Sequence, residues 1–192
     1  MANDRETAPS RKSVHLENYD YSQEGAYSVT VCAKGNRPLF GEVVDGHVAL
    51  SGCGRVVAEC IEAIPDHFPR CTLDVSVVMP NHLHLIIVID RSAESAGASR
   101  EPPNCRSGPK RGAISAVVGS VKSAASKLVN RVPEGRRILT WQRGYYEHVI
   151  RSEREMLAIR QYIVNNPLQW ELDRENPDRA GRHPLDRWLY GE

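Results

Sequence analysis

Apolar and polar positions along the chain mark out most of its elements. Tyr27-Ser28-Val29-Thr30-Val31-Cys32 alternates and is rich in β-formers, which predicts a strand. Leu39 to Val44 and His47 to Leu50 flank Asp45-Gly46, a pair that supplies the positive φ angles of a tight turn, so a hairpin is expected. Ser51 can cap a helix running to about Ile64, where Pro65 follows. Leu73 to Met79 and Leu83 to Ile89 read as two strands separated by Pro80-Asn81. Residues 91–111 are rich in Ser, Ala, Gly and Pro and predict a flexible loop. From Gly112 to Val132 the apolar positions Ile114, Val117, Val118, Val121, Ala125, Leu128 and Val129 have helical spacing. Thr140 to Ile150 is aromatic and β-like. Ser152 and Glu155 form a capping box before a last helix, which Pro167 should stop at Asn165 or Asn166.

This order predicts an α+β sandwich, an antiparallel sheet with helices on one face. The ferredoxin-like βαββαβ arrangement fits if the early hairpin and the last helix are additions. Residues 1–18 read as a disordered leader, 19–170 as the single folded domain, and 171–192 as a polar tail with Trp170 and Trp188 as possible anchors. No repeat interrupts the pattern.

Composition adds constraints. No apolar run approaches the roughly 20 residues of a membrane helix, and the polar N-terminus lacks a signal-peptide core, so a cytoplasmic protein is expected. Cys32, Cys53, Cys60, Cys71 and Cys105 are odd in number and form no Cys-x-x-Cys pair, which argues against a disulfide framework or a zinc ribbon. The net charge is only +1. Its distribution is uneven, for Arg100 to Arg151 holds eleven Lys/Arg against three acids. A basic middle on a neutral chain suggests one positive face suited to nucleic acid.

Two motifs carry candidate chemistry. In Pro80-Asn81-His82-Leu83-His84, the strand period of two puts His82 and His84 on one face, where both imidazoles can converge on one metal ion. On the last helix Tyr162 and Asn166 are four apart and share a face. Asn166 offers a carbonyl oxygen to a metal, and Tyr162 a nucleophilic hydroxyl one turn away. Each has a plainer reading, as hydrogen-bonded structural histidines and as a packing tyrosine.

Together these motifs resemble the REP-associated tyrosine transposases, relatives of the single-strand transposases of small insertion sequences. Pro80-Asn81-His82-Leu83-His84 matches the family's HUH motif. Trp141-Gln142-Arg143-Gly144-Tyr145-Tyr146-Glu147-His148-Val149-Ile150-Arg151, followed by Tyr162-Ile163-x-x-Asn166-Pro167, matches its C-terminal pattern. The resemblance runs from about Tyr19 to about Asn176. It implies a ferredoxin-like domain, a Mg²⁺ or Mn²⁺ ion, and cleavage and rejoining of single-stranded DNA at repeat-derived hairpins through a 5′-phosphotyrosine. His82 and His84 would be metal ligands, Asn166 the third, and Tyr162 the nucleophile. Relatives often have Gln at the third position, and neighbouring Asn165 leaves that assignment open. Tyr145 and Tyr146 are rival nucleophiles, with stacking on bases or packing under the sheet as their other readings. Lys110, Arg111, Lys122, Lys127, Arg136, Arg137, Arg143, His148 and Arg151 are candidate DNA contacts. A non-cleaving hairpin binder on the same fold is the alternative, and a zinc hydrolase lacks further ligands at convincing spacing. A monomer and a homodimer are both compatible with the chain.

Overall fold

The computed structural model describes residues 20, 22–90, 114–131, 139 and 141–190, except for the side chains of 187 and 188. The expected leader, the expected loop 91–111, Cys105, and the candidate contacts Lys110, Arg111, Arg136 and Arg137 lie outside the described residues, as does the side chain of Trp188.

Strand β1 (Gly25–Cys32) leads to the hairpin β2 (Gly41–Val44) and β3 (His47–Leu50). Asp45 and Gly46 take φ of 50° and 73°, the left-handed turn expected of that pair. Helix α1 (Gly52–Glu62) begins where Ser51 Oγ accepts the Gly54 amide at 3.0 Å. A Cβ on Gly54 would lie 1.9 Å from the Phe40 carbonyl oxygen, so only glycine lets the helix start this close to the hairpin. Pro65 does not end the helical segment. The chain kinks at Ala63, and Pro65 sits in the first turn of α2 (Ile64–His67), where its missing N–H costs nothing.

Strands β4 (Cys71–Val78) and β5 (His82–Ile89) follow, then α3 (Ile114–Val129), β6 (Tyr146–Ile150) and α4 (Glu153–Asn165). The sheet order is β4-β5-β1-β6 with every pairing antiparallel, the order a βαββαβ core requires. The last strand is shorter than expected. Trp141 makes one bridge to Ala33, but the chain then leaves the ladder at Gly144, whose φ is 77°. Lys122 Nζ holds this excursion by donating to the Gln142 carbonyl at 3.0 Å and the Gly144 carbonyl at 2.5 Å.

The two faces of the sheet are covered differently. Tyr27, Val29 and Val31 of β1 and Leu83, Leu85, Ile87 and Ile89 of β5 pack against α1 and α3. The sequence predicts helices on one face of the sheet, yet the opposite face is covered too. It has its own core, in which Cys32, Ile86, Tyr146 and Ile150 meet Ile159, Tyr162 and Ile163 of α4 and Leu189 and Tyr190 of α5 (Asp186–Tyr190). Helices therefore cover both faces, because β5 is apolar on both sides apart from its two histidines. A bulge at Asp74 moves Val75 and Val77 of β4 to the α4 face, while Leu73 packs on the other. Beyond α4 the chain does not stop at Pro167 but tightens into a 3-10 turn over Pro167–Leu172, with Pro167 at its start. No helix among the described residues is long and apolar enough to cross a membrane.

Candidate active site

His82 and His84 open β5 on the α4 face, and both are buried. The strand period brings their rings to 4.5 Å, edge to face. Their Nδ1 atoms are engaged by the protein. Asn81 Nδ2 donates to the carbonyls of Glu175 at 2.8 Å and Asn36 at 3.2 Å, so its Oδ1, 2.8 Å from His82 Nδ1, must accept a proton there. His82 is then protonated on Nδ1 and presents a bare Nε2. His84 Nδ1 lies 2.8 Å from Thr30 Oγ1, whose hydroxyl can match either tautomer.

Both Nε2 atoms point at Asp173, which lies beyond the 3-10 turn. Asp173 Oδ2 is 3.7 Å from His82 Nε2 and 3.5 Å from His84 Nε2. Neither Nε2 has a hydrogen-bond partner among the described residues, and neither does Asn166 Oδ1. Asp173 Oδ1 accepts the Glu175 amide at 2.7 Å, which locks the carboxylate in place. Burial pushes the His82 imidazolium down to about 3, with Asp173 opposing that shift and His84 adding to it. Burial also works against an ionised Asp173, but His82, His84 and Asn166 outweigh it and hold the acid well below its usual range. A neutral imidazole and a carboxylate thus face each other through electron pairs. Such a contact is unfavourable in a dry interior unless a cation lies between them. His82, His84 and Asp173 form a buried group able to hold a metal ion, with one ligand atom from each within 4.8 Å of the others.

Asp173 was not expected as a candidate, and it comes from the segment read as a polar tail. That segment is built into the fold, since Asp173, Glu175, Asn176 and Asp186 are all buried. The one signal for this in the sequence is the run Asp173 to Asn176, whose Asx-type turn folds Asp173 inward. Asn166 does reach the centre, but through its amide, since Nδ2 donates to Asp173 Oδ2 at 2.7 Å. Asn165 is half-buried on another side of α4.

Tyr162 completes the group. Its hydroxyl donates to Asp173 Oδ2 at 3.2 Å, and its ring stands edge-on to His84 at 5.3 Å. Burial raises its ionisation well above the ordinary tyrosine range, and the Asp173 charge adds to the effect. The His183 ring packs on Tyr162 at 4.7 Å from the C-terminal side, and Trp170 stacks on His82 at 6.0 Å. The rival tyrosines lie elsewhere. Tyr146 packs edge-on to Tyr190 under Arg174, and half-buried Tyr145 rests against the α1/α3 core.

The described basic candidates sit on several elements. Lys122 is committed to the carbonyls of Gln142 and Gly144. Lys127 lines a groove between α2 and α3, on the side of the sheet away from the histidines. Arg143 is exposed in the excursion before β6. His148 Nε2 bonds Glu155 Oε1 at 2.6 Å, and the Arg151 amide donates to Glu155 Oε2 at 2.7 Å, both as part of the α4 cap.

No family model matches the chain. A Haemophilus influenzae protein described as uncharacterized is 37% identical over 166 residues, which cover 85% of this chain and 91% of that protein. Among solved structures, a REP-associated tyrosine transposase bound to a REP hairpin aligns with a TM-score of 0.55 at 17% identity, over 81% of this chain and 73% of that one. At that identity the likeness is one of fold.

Proposed function

The chain belongs to the family of the Haemophilus influenzae protein and shares its fold with the REP-associated tyrosine transposase, and from these premises we propose that it cuts and rejoins single-stranded DNA with Tyr162 as nucleophile. The observation that carries this reading is the tyrosine hydroxyl bonded to a carboxylate that two buried histidines face. The solved relative holds a REP hairpin, and a hairpin-forming single strand is the substrate proposed here.

His82, His84 and Asp173 would hold a divalent ion, Mg²⁺ or Mn²⁺, with Asn166 Oδ1 as a further donor. The unpartnered Nε2 atoms and Oδ1 fit that role. When bound, the ion supplies positive charge to the scissile phosphate. The protein's own part is to aim the hydroxyl. Asp173 Oδ2 accepts the Tyr162 hydrogen bond, which orients the hydroxyl so that a lone pair of its oxygen can face phosphorus. A bond forms between the Tyr162 oxygen and phosphorus, and the bond from phosphorus to the preceding 3′ oxygen breaks. The tyrosine loses its proton as the new bond forms, and the departing 3′ oxygen gains one, so the proton count balances. Attack by a 3′-hydroxyl reverses the step, so the same groups rejoin strands.

A hairpin-binding regulator that does not cut is the second reading. The 3% exposure of Tyr162 favours it. Incubating the protein with Mn²⁺ and a labelled single-stranded hairpin separates the two. An adduct that survives a denaturing gel, disappears with EDTA and is lost in Tyr162→Phe supports cleavage. An adduct undiminished in Tyr162→Phe contradicts the assignment, and binding without any adduct supports the regulator.

A further inference from the structure

Beside Tyr162 lies a cavity of about 210 Å³ that the proposed chemistry does not use. Its walls are the rings of Tyr162 and His183 and the amide side chains of Gln161, Asn165 and Gln169, with Leu185 among the apolar contacts. Gln161 and Asn165 lie a helical turn apart on α4, and Gln169 continues the row on the 3-10 turn. None of the three amide side chains hydrogen-bonds to any described residue. Gln161 is exposed and Asn165 and Gln169 are half-buried, so the row is open to a ligand, whereas the buried Asn81, Asn166 and Asn176 are engaged within the protein. The Leu185 amide donates to His183 Nδ1 at 3.1 Å, so the neutral ring carries its proton on Nε2.

The cavity suits a small planar ligand with hydrogen-bonding edges. No Lys or Arg lines it, which argues against a phosphate subsite. The half-buried His183 ring suits stacking, and a carboxamide pairs in two places with the N6 and N7 edge of adenine. Tyr162 is shared between the cavity and the proposed scissile position, so an occupant would belong to a nucleotide beside the cut. We propose that this cavity receives an unpaired adenine flanking the cleaved phosphate, read by Gln161, Asn165 and Gln169. The proposal rests on the cleavage reading for the register of that base, though not for its binding.

The test has two arms. In the first, wild type and the combined Gln161→Ala/Asn165→Ala/Gln169→Ala variant cut a single-stranded pool randomised along its length, with Mn²⁺ present, and both fragments are sequenced. Wild type should enrich adenine at one position adjoining the junction, and the variant should lose about tenfold of that preference. The ratio between bases is the readout, which a general loss of yield would leave unchanged. The same enrichment in the variant, or no base preference beside the junction in wild type, overturns the proposal. In the second arm, adenosine and thymidine are titrated into full-length wild type, and the side-chain amide resonances are followed by NMR. Adenosine should shift those of Asn165 and Gln169 more than thymidine does. Equal or absent shifts overturn the proposal even if no strand is ever cut. Shifts without cleavage would leave the pocket standing and sink the nuclease reading instead.

Discussion

The two faces of this sheet are built from the same strands and obey opposite rules. On the α1/α3 face, β1 and β5 present only apolar side chains, from Tyr27 and Val29 to Leu85 and Ile87. On the α4 face the same strands bury Ser28, Thr30, His82 and His84 as well. The first face gains from removing apolar surface from water. The second buries polar groups whose cost is met only if each finds a partner, and two imidazole nitrogens have none among the described residues. One face is organised for stability, and the other keeps unsatisfied donor atoms that a ligand would complete.

The largest effect expected from that contrast is on stability. Ile87→Ala removes a fully buried side chain from the α1/α3 face and should cost about 2–5 kcal/mol. Urea unfolding would measure it, and Mn²⁺ affinity should remain as in wild type. A loss of metal binding at matched folded fraction would show that the faces are not separable.

The converse substitution is Thr30→Val. It removes the hydroxyl that orients His84 at 2.8 Å and leaves packing nearly unchanged. Groups that orient a ligating histidine are typically worth about 10–100-fold in metal affinity. Calorimetric titration should show a loss of that size with little change in the unfolding midpoint. Unchanged affinity would mean that Thr30 does not position the ring.

The smallest effect concerns pH. Folded His82 resists protonation down to about 3, whereas an unfolded histidine titrates near about 6.5. Between those values the unfolded state binds more protons, so stability falls as pH falls through the window. The slope from this one group is at most about 1.4 kcal/mol per pH unit. Asp173, held low in the fold, stabilises the protein above the ordinary carboxylate range and is lost only below it, so it adds nothing until the pH nears about 4. Denaturation in EDTA at pH 7, 6 and 5 should show the fall, and His82→Ala should flatten it. An equal slope in the variant would place the titration elsewhere.

Most of the fold was legible because its elements obey simple periods. The Ser51 and Ser152 caps, the Asp45-Gly46 turn and the spacing of α3 all follow local rules. Features set by long-range contacts were hidden. Cys71 to Val77 alternates as though it had one inward face, yet the Asp74 bulge splits it between two cores, and Arg160 grips Asp74 at 2.6 and 2.7 Å. The His82–His84 pair was visible through its spacing. Asp173 was not, because the polar run Asp173 to Asn176 has the composition of a solvated turn. Only the closure of the C-terminal segment over α4 buries it. The role of Lys122 was hidden for the same reason. Lys122 lies on α3 at a helical surface spacing, and its role was set by the carbonyls that Gly144 turns toward it.

The central claim is that His82, His84 and Asp173 form a metal centre, and a calorimetric titration of Mn²⁺ into EDTA-stripped wild type and His84→Ala tests it most directly. The account predicts one ion per chain in wild type and no saturable binding in the folded variant. Wild type that binds no ion, or a variant that binds it with unchanged affinity, would contradict it.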